Sequence, residues 1–460
     1  MEFSKVYFLG IGGIGMSALA RYFLHQGKCV AGYDRTESAL TRELASEGAA
    51  IHYEDQVAAI PADYINRDQT IVVYTPAVPE EHTELCYFKN NGFEIVKRSQ
   101  MLGYLAEDKY VLAVAGTHGK TTTSTLLAWL DHEVLQSGSA FLGGISKNFA
   151  SNLVLGQGDR LVVEADEFDR SFLRLAPDVA VVTAADADHL DIYGTHEAMK
   201  EAFSQFIRQI KPEGALVLKH GVQLSLDGAV ARVYRYAYDV PCDFYATHIH
   251  LLTNGCYRYD ICTPDGVISD CTLGVPGWIN IENSVAAVAV MWCAAHHRKE
   301  VLDLKKLRDA LASFQGVKRR FEFYINTPKQ VYMDDYAHHP RELEATITSV
   351  KQMFPRRKVT ALFQPHLYTR TRDFYVDFAA ALSHADEVVL LPIYPAREEP
   401  IPGITAEIIA DRVTVPCRIV EREELADRVL AMDTDVVVSF GAGNIDACCA
   451  VLAKNLSTKA

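Results

Sequence analysis

The stretch "YVLAVAGTHGKTTTSTLLAWL", residues 110–130, determines the fold that we expect for this chain. The apolar run before the first glycine predicts a buried strand, and the residues from Lys120 onward predict a helix. Gly116 and Gly119 let the connecting loop turn tightly, so that its amides can surround phosphate oxygens. Lys120 can neutralise the β- and γ-phosphates, and the Thr121 hydroxyl can bind Mg²⁺. The stretch therefore predicts a nucleotide-binding loop in an α/β domain with a parallel sheet.

Two later strand-like runs end in side chains that suit a metal ion. "RLVVEADEFD" contains Glu164, and "DVAVVTAADADHLD" leads to Asp186, Asp188 and His189. Ligands collect beyond the carboxyl ends of parallel strands, so we expect Thr121, Glu164 and His189 to converge on Mg²⁺. Taken alone, the acidic run is more typical of a solvated loop.

A second glycine turn lies near the N-terminus, in "VYFLGIGGIGMSALARYFL", residues 6–24. Its glycines are Gly10, Gly12, Gly13 and Gly15. A strand, a tight turn and a helix in this order present helix N-terminal amides to a diphosphate. Asp34 ends the next strand-like run, where an acid can meet a ribose hydroxyl. From this stretch alone, a nicotinamide dinucleotide and another diphosphate are both open.

Strand and helix patterns alternate along the chain and divide it into three α/β parts. Residues 1–105 predict a Rossmann-like domain. Residues 106–313 predict a central P-loop domain whose parallel sheet carries an antiparallel patch at about 213–275. Residues 314–460 predict a second Rossmann-like domain, with strands at "QVYMDD", "KVTALF", "EVVLLPIY" and "DVVVSFGAG".

Cationic and imidazole side chains mark the beginning of the third part and two of its strand ends. "SFQGVKRRFE" predicts either an exposed basic patch or a segment that delivers Arg320 to a transferring phosphoryl group. Arginines at a strand end suit a carboxylate or a phosphate. The segments "MDDYAHHPRE" and "FQPHLYTRTRD" together predict one site, formed by Asp335, Tyr336, His338, His366, Arg370 and Arg372.

Composition narrows the class of protein. The chain has 460 residues, a net charge of −14 and 49% hydrophobic residues. Without a cluster of Lys and Arg we expect no nucleic-acid partner, and without an apolar run of about 20 residues we expect no membrane insertion. The ten cysteines contain no CxxC pair, which argues against zinc and a disulfide scaffold and favours a reducing cytoplasm. We interpret Cys29 and Cys293 as core residues.

Taken in order, the motifs resemble the Mur ligase family from end to end: "GIGGIGMSALA", "AGTHGKTTT", "EADEFDRSF", "DADHLDIY", "KRRFE", "DDYAHHP", "FQPHLYTRTRD" and "GAGNID". The resemblance implies a UDP-substrate domain, an ATP domain and an amino-acid domain. Within the family, the combination of the first glycine motif, "GTHGKTT" and "FQPHLYTRT" is similar to members that attach L-alanine to UDP-N-acetylmuramate. Such members activate the substrate carboxylate as an acyl phosphate and serve bacterial peptidoglycan precursor synthesis in the cytoplasm.

The resemblance also implies roles for individual residues. The implied catalytic residues are Lys120, His189, Arg320, His338 and Arg370. ATP is expected at Gly116, Thr117, His118, Gly119, Lys120, Thr121, Thr122, Asn283, Arg320 and Asp335. The UDP-substrate is expected at Gly10, Gly12, Gly13, Gly15 and Asp34. The amino acid is expected at Tyr336, His338, His366, Arg370 and Arg372, and Mg²⁺ at Thr121, Glu164 and His189.

Some positions depart from the family pattern and keep alternatives open. Trp278 and Ile279 precede Asn280 where a histidine is usual, and Leu367 stands where relatives often have arginine. Phe168 is typical of a sibling ligase that attaches a recycled tripeptide to the same UDP-sugar, although that sibling normally lacks "FQPHxYTRT". The alternative from another class is an NAD-dependent oxidoreductase joined to a nucleotide-binding module. The sequence leaves a monomer and a homodimer equally open.

Overall fold

The computed structural model describes residues 3–136, 138–252, 255–396 and 398–458, except for the side chain of residue 191. Its strands form sheets of five, ten and six strands. One compact unit comprises Met1–Thr247, Ile261–Cys271 and Asn283–Phe314, and contains the first sheet and the nucleotide-loop region. The other comprises His248–Asp260, Thr272–Glu282 and Gln315–Ala460. The expected α/β architecture of parallel sheets with some antiparallel pairing is confirmed.

The first sheet is parallel and has the strand order β3-β2-β1-β4-β5. Leu9 pairs with Tyr33 on one side and with Tyr74 on the other, so the turns after these strands share one edge. Because the strand order reverses at β1, this edge has the crevice in which open α/β sheets bind ligands. Its strands are β1 (Lys5–Leu9), β2 (Cys29–Tyr33), β3 (Ala50–His52), β4 (Thr70–Tyr74) and β5 (Glu94–Lys97). Its helices are α1 (Ile14–His25), α2 (Ala39–Ser46), α3 (Thr83–Asn90) and α4 (Arg98–Ala106).

The second sheet has the order β15-β14-β13-β12-β11-β10-β6-β9-β7-β8. Its strands are β6 (Tyr110–Ala115), β7 (Ser139–Ser146), β8 (Ser151–Val154), β9 (Arg160–Ala165), β10 (Val179–Val182), β11 (Ala215–Lys219), β12 (Arg232–Ala237), β13 (Phe244–Leu251), β14 (Tyr257–Thr263) and β15 (Gly266–Leu273). The accompanying helices are α5 (Lys120–Leu130), α6 (Leu190–Tyr193), α7 (His196–Arg208), α8 (Trp278–Arg298) and α9 (Leu304–Ser313). Strand β6 is apolar on both faces and buried from Val111 to Ala115, as expected for a central parallel strand.

The third sheet has the order β16-β17-β21-β18-β19-β20, and its first pair alone is antiparallel. Its strands are β16 (Glu322–Asn326), β17 (Val331–Asp335), β18 (Val359–Phe363), β19 (Glu387–Leu390), β20 (Cys417–Ile419) and β21 (Val436–Phe440). Its helices are α10 (Pro340–Met353), α11 (Tyr368–Leu382), α12 (Glu407–Ala410), α13 (Leu425–Leu430) and α14 (Cys449–Ser457).

Three details refine the expectations from sequence. Pairs β11–β12 and β12–β13 are parallel, so the parallel sheet extends into the region of the expected antiparallel patch, while β7–β8 is antiparallel. Cys293 is buried as expected, but the core assignment of Cys29 is wrong, because this first residue of β2 is exposed. Helix α8 is long and apolar enough to cross a membrane, yet 89% of its most apolar window is buried inside the protein, as in an ordinary core helix.

A buried polar cluster lies on one face of the first sheet. Tyr7 on β1 donates a hydrogen bond of 2.7 Å to Glu84 Oε2, and His52 Nε2 lies 2.7 Å from the same hydroxyl. Glu84 is fully buried. Burial raises the pKa of Glu84 to about 7, although the hydrogen bond from Tyr7 lowers it. This carboxyl group therefore stays protonated in the folded protein across a range where it ionises in an unfolded chain.

We predict that Glu84→Gln makes the stability of the folded protein less sensitive to rising pH. An unfolded carboxyl ionises near 4.5 and the folded one near 7, so the contribution of Glu84 to stability falls as pH rises between these values. Glutamine stays neutral, so the free energy of unfolding of the variant relative to wild type should grow by about 3 kcal/mol across that interval. Denaturant titrations at several pH values measure this difference. Glu94→Gln, on an exposed residue of β5, is the control and should give no such trend. If the free energies of unfolding of Glu84→Gln and wild type differ by the same amount at every pH, Glu84 is not protonated in the folded protein as we predict.

Candidate functional site

The loop between β6 and α5 is fixed by close approach to its neighbours. Gly116 has a φ of +135° and Gly119 a φ of +78°, which side-chain-bearing residues rarely adopt. A Cβ built on Gly116 would lie 2.2 Å from Thr183 Oγ1, and one on Gly119 would lie 2.9 Å from Asn283 Oδ1. The Thr183 hydroxyl also donates to the carbonyl oxygen of His118. The backbone conformation therefore favours glycine at both positions, and at Gly116 the close backbone atoms of Thr183 and Ala184 also leave no room for a side chain.

Lys120 begins α5 and lies between this loop and a buried carboxylate. Its Nζ is 2.9 Å and 2.6 Å from the two carboxylate oxygens of Glu167 and donates to the Gly116 carbonyl at 2.8 Å. Burial alone lowers the pKa of Lys120, but the carboxylates of Glu167, Asp166 and Glu164 raise it above its ordinary value. The sequence analysis assigned no role to Glu167, although its place in "EADEFD" was a signal. Lys120 is thus held as a cation at the loop.

Thr121 and Glu164 provide adjacent oxygen atoms beside the loop. The Thr121 hydroxyl donates to Glu164 Oε1 at 3.1 Å, and the Gly143 amide donates to Glu164 Oε2 at 3.2 Å. His189 Nε2 lies 3.7 Å from Oε1 of Glu167, the carboxylate that holds Lys120, and its expected place among the Mg²⁺ ligands stays a prediction. Across the described residues, no group of three His, Cys, Asp or Glu side chains is arranged to hold a metal ion. A hydroxyl and a carboxylate fit Mg²⁺, which completes its shell with phosphate and water.

Of the other residues expected around ATP, Thr117 and His118 lie in the loop itself and Asn283 lies on α8. The Thr117 hydroxyl accepts from the Asp186 amide at 3.1 Å, and His118 Nε2 lies 3.5 Å from Asp186 Oδ2. Asn283 on α8 accepts from the Thr123 hydroxyl at 3.3 Å. The structure therefore brings Asp186 and Asn283 to the loop.

Thr122, the remaining residue of the predicted ATP set in this unit, is half-buried on α5. It follows Thr121 directly, so it belongs to the first turn of the helix whose N-terminal amides face the loop. Its predicted contact with the nucleotide stays a prediction.

The N-terminal glycine turn is bound to the end of β2. The Gly10 amide donates to the Tyr33 carbonyl at 2.8 Å, and the Gly12 amide donates to Asp34 Oδ2 at 2.7 Å. Gly13 is the residue that precedes α1. Asp34 therefore already accepts a hydrogen bond from the turn, and its expected contact with a ribose stays a prediction. A diphosphate at this turn would lie near a carboxylate, so it needs a nearby cation.

A cavity of about 250 Å³ lies at this turn, within the first compact unit. Gly13 and Gly15 of the turn line it, as do Gly143 and Glu164 of the second sheet. The cavity thus extends from the predicted diphosphate turn to the carboxylate beside the nucleotide loop. Arg98 is the single cationic residue among the described residues that line it.

Arg98 was missed by the sequence analysis. It is the first residue of α4 and follows β5 directly, at the same sheet edge as the glycine turn. Its Nη1 would lie 3.1 Å from a Cβ built on Gly15, and its Nη2 is 3.8 Å from Asp166 Oδ2. The signal in the sequence was an arginine at the end of the short segment "FEIVKR".

The second unit gathers its candidate residues at the carboxyl ends of β17, β21 and β18. Arg319 Nε lies 2.9 Å from the buried Asp334, and its Nη2 donates to the Gly441 carbonyl at 2.8 Å. The guanidinium groups of Arg319 and Arg320 lie 5.1 Å and 4.9 Å from the Tyr336 ring centroid. Arg319 therefore anchors the basic segment to the sheet, and Arg320 is held against Tyr336.

Asp335 is buried in the same unit. It accepts hydrogen bonds of 3.0 Å from the Ala337 amide and from the Thr346 hydroxyl. Burial raises the pKa of Asp335 to about 6, although the charge of Arg320 lowers it. Asp335 is therefore a carboxyl group that titrates just below neutrality.

The remaining candidates of the second unit are His338, His366, Arg370 and Arg372. The rings of His338 and His366 lie 6.4 Å apart, and His366 stacks on Tyr394 at 5.8 Å. Arg370 is buried at the start of α11. Arg372 is half-exposed and binds the carboxylate of the residue that follows it at 2.7 Å. The histidines thus lie together, whereas the described contact of Arg372 is with its own neighbour.

Comparison with known proteins covers almost the whole chain. Family profiles match at residues 5–110 (Mur ligase family, catalytic domain), 114–291 (Mur ligase middle domain) and 319–443 (Mur ligase, glutamate ligase domain). A curated relative, UDP-N-acetylmuramate–L-alanine ligase of Parabacteroides distasonis, is 53% identical over 96% of this chain and 95% of its own length.

Two solved structures have the same architecture. UDP-N-acetylmuramate-alanine ligase MurC from Thermotoga maritima has a TM-score of 0.81 at 26% identity, covering 99% of this chain and 100% of its own. The murein peptide ligase mpl from Psychrobacter arcticus has a TM-score of 0.72 at 21% identity, covering 98% of each chain. The second likeness concerns the fold alone.

Proposed function

The chain belongs to the Mur ligase family, and we propose that it joins L-alanine to UDP-N-acetylmuramate with the consumption of ATP. The similarity to L-alanine-adding relatives over nearly the full length carries this proposal. The glycine loop with its buried Lys120 supplies the matching chemistry. We also propose that the reaction takes place in the cytoplasm and serves peptidoglycan precursor synthesis.

The reaction that we propose has two steps. The lactyl carboxylate of the UDP-substrate attacks the γ-phosphorus of ATP, and the bond to the bridging oxygen breaks to give an acyl phosphate and ADP. The amine of L-alanine then attacks the activated carbonyl carbon, and phosphate leaves from the tetrahedral intermediate. Catalysis of such steps depends mainly on positioning and on stabilising charge.

Lys120 is proposed to bind the β- and γ-phosphates at the loop. In the structure its charge is balanced by Glu167, so a triphosphate would compete with that carboxylate for the ammonium group. Thr121 and Glu164 would hold Mg²⁺, which when bound neutralises phosphate charge. Asn283 would face the base of the nucleotide. His189, which approaches Glu167, is proposed to join Thr121 and Glu164 in holding Mg²⁺.

The glycine turn and the cavity beside it are proposed to hold the UDP-substrate, with Arg98 on the diphosphate. The turn contributes helix N-terminal amides, and Arg98 contributes the positive charge that the nearby Asp34 makes necessary. Because Glu164 lines the same cavity, a substrate held here has its other end near the nucleotide loop.

The second unit is proposed to provide the amino-acid site. Its proposed members are Tyr336, His338, His366, Arg370 and Arg372, with Arg320 and Asp335 serving the phosphates. We also propose that the three domains comprise residues 1–105, 106–313 and 314–460.

Phosphate release tests the proposed activity and its nearest alternative. With ATP and UDP-N-acetylmuramate, we expect release with L-alanine and less with glycine or L-serine. A pocket distinguishes two amino acids that differ by one small group, such as a methyl, by about 1–3 kcal/mol of transition-state binding. Release only with the recycled tripeptide would instead assign the chain to the sibling ligase. A change in nicotinamide absorbance without phosphate release would point to an oxidoreductase.

We predict that Lys120→Ala abolishes turnover but leaves the UDP-substrate bound. Loss of a charge that stabilises the transferring phosphoryl group should lower kcat by at least about 100-fold. Affinity for UDP-N-acetylmuramate, measured by calorimetry, should stay within about two-fold, because Lys120 does not line the cavity at the glycine turn. Turnover at the wild-type rate would remove Lys120 from the chemistry.

We predict that Arg98→Ala weakens binding of UDP and of UDP-N-acetylmuramate alike. Both share the diphosphate, so each Kd should rise by about 10- to 100-fold, with an intermediate effect for Arg98→Lys. The KM for ATP should change little. Arg67→Ala is the matched control, because this exposed arginine lies in the loop before β4. Equal affinities in wild type and Arg98→Ala would show that another group binds the diphosphate.

A further inference from the structure

One buried asparagine connects the glycine turn to the nucleotide-binding sheet. Asn152 lies on β8 of the second sheet and is fully buried. Its Nδ2 donates to the Ile14 carbonyl at 2.6 Å and lies 2.8 Å from Ser17 Oγ, and its Oδ1 accepts from Arg21 Nη1 at 2.6 Å. All three partners belong to α1, the helix that follows the glycine turn.

The orientation of this amide is fixed by chemistry. A guanidinium group only donates hydrogen bonds and a backbone carbonyl only accepts them, so oxygen must face Arg21 and nitrogen must face Ile14. Arg21 is itself held by Glu43 at 3.0 Å and by Glu47 at 2.9 Å. Each polar atom of Asn152 therefore has a partner whose own position is set by α1 or by the end of α2.

Strand β8 is in turn connected to the nucleotide loop through two strand pairs. It pairs with β7, and β7 pairs with β9, which contains Glu164. The Gly143 amide of β7 donates to Glu164. Tyr22 of α1 also packs against Phe141 of β7, with their ring centroids 5.6 Å apart. Both reactant sites thus belong to one continuous set of buried contacts in the first compact unit.

From this arrangement we infer that Asn152 is a positioning residue for the first step of the reaction. It holds the first turn of α1, and with it the diphosphate of the UDP-substrate, at a fixed distance from the nucleotide loop. Reacting atoms must approach to about 3–3.5 Å, and a displacement of about 1 Å lowers the rate by about 100-fold. Asn152 touches neither reacting group in this scheme. The inference rests on the proposed ligation of the UDP-substrate.

The variant Asn152→Ala tests this inference through a separation of kcat from KM. We expect kcat to fall by about 10- to 100-fold, while the KM for ATP and the Kd for UDP stay within about two-fold. A residue that only stabilises the fold would lower the thermal unfolding temperature and leave kcat unchanged at temperatures where the variant is folded. Unchanged kcat in a folded Asn152→Ala would overturn the inference. A rise in the Kd for UDP that accounts for the whole loss of kcat/KM would overturn it as well.

Asn152→Asp distinguishes the hydrogen bond that Asn152 accepts from Arg21 from the one that it donates to Ile14. Aspartate keeps an oxygen for Arg21 and adds a charge, but it cannot donate to the Ile14 carbonyl. If the bond to α1 positions the substrate, Asn152→Asp should be about as slow as Asn152→Ala. Recovery of wild-type kcat in Asn152→Asp would count against positioning through Ile14. Asn148→Ala is the control, since Asn148 lies between β7 and β8 and donates to the Ser313 carbonyl. Its kcat should equal that of wild type.

Ser17→Ala keeps the test decisive if Asn152→Ala does not fold. It removes one contact of Asn152 and leaves the other two, so kcat should fall by about two- to five-fold with unchanged KM values. An unchanged kcat in Ser17→Ala, with both substitutions at Asn152 unable to fold, would overturn the inference in favour of a purely structural role. If wild type itself binds UDP but forms no product with L-alanine, the proposed function fails, and the inference that rests on it fails with it. An active wild type with an unchanged kcat in a folded Asn152→Ala overturns the inference alone.

Discussion

The common carboxyl edge of parallel strands is the constraint on which the rest of the structure depends. Ala115 pairs with Ala165 on one side and with Val182 on the other, so β6, β9 and β10 all end at one level. Three segments begin at that level: the glycine loop after β6, the acidic segment after β9 and the residues after β10. Residues far apart in sequence therefore meet because the strands before them are in register. The same rule places Asp34 and Arg98 at one edge of the first sheet.

Buried ion pairs fix side chains at these edges. Lys120 with Glu167 and Arg319 with Asp334 each join a largely buried cation to a buried carboxylate. Removing two charges from water is unfavourable, and such pairs often stabilise a fold less than apolar residues of the same volume would. Their effect here is geometric. An ammonium or guanidinium group held by a carboxylate and by backbone carbonyls has one position, and a site for phosphate requires that position.

The sequence predicted what is encoded locally. The loop around Lys120 follows from a short spacing, and β6 follows from its apolar run, because neighbouring residues decide both. Glu167, Arg98 and Asn152 were missed, since their significance depends on partners that only the folded chain brings near. The error at Cys29 has a related cause: an apolar environment in sequence does not distinguish the first residue of a strand from its buried middle. The residues expected to hold the metal come from separate segments too: Thr121 and Glu164 meet across adjacent elements, and His189 approaches the Glu167 carboxylate that holds Lys120.

The proposed sites for the reactants of the first step and for the amino acid belong to different compact units. Phosphoryl transfer needs a carboxylate and a triphosphate within reach of each other, and the glycine turn, the cavity and the nucleotide loop all belong to the first unit. A contact such as that of Asn152 with α1 can therefore hold both reactants through one continuous core. The residues proposed for the amino acid belong to the second unit. The acyl phosphate is formed before the amine attacks, so the carboxylate and the triphosphate have to be held rigidly within the first unit. The second unit is proposed to supply the amine and, through Arg320 and Asp335, further contacts to the phosphates.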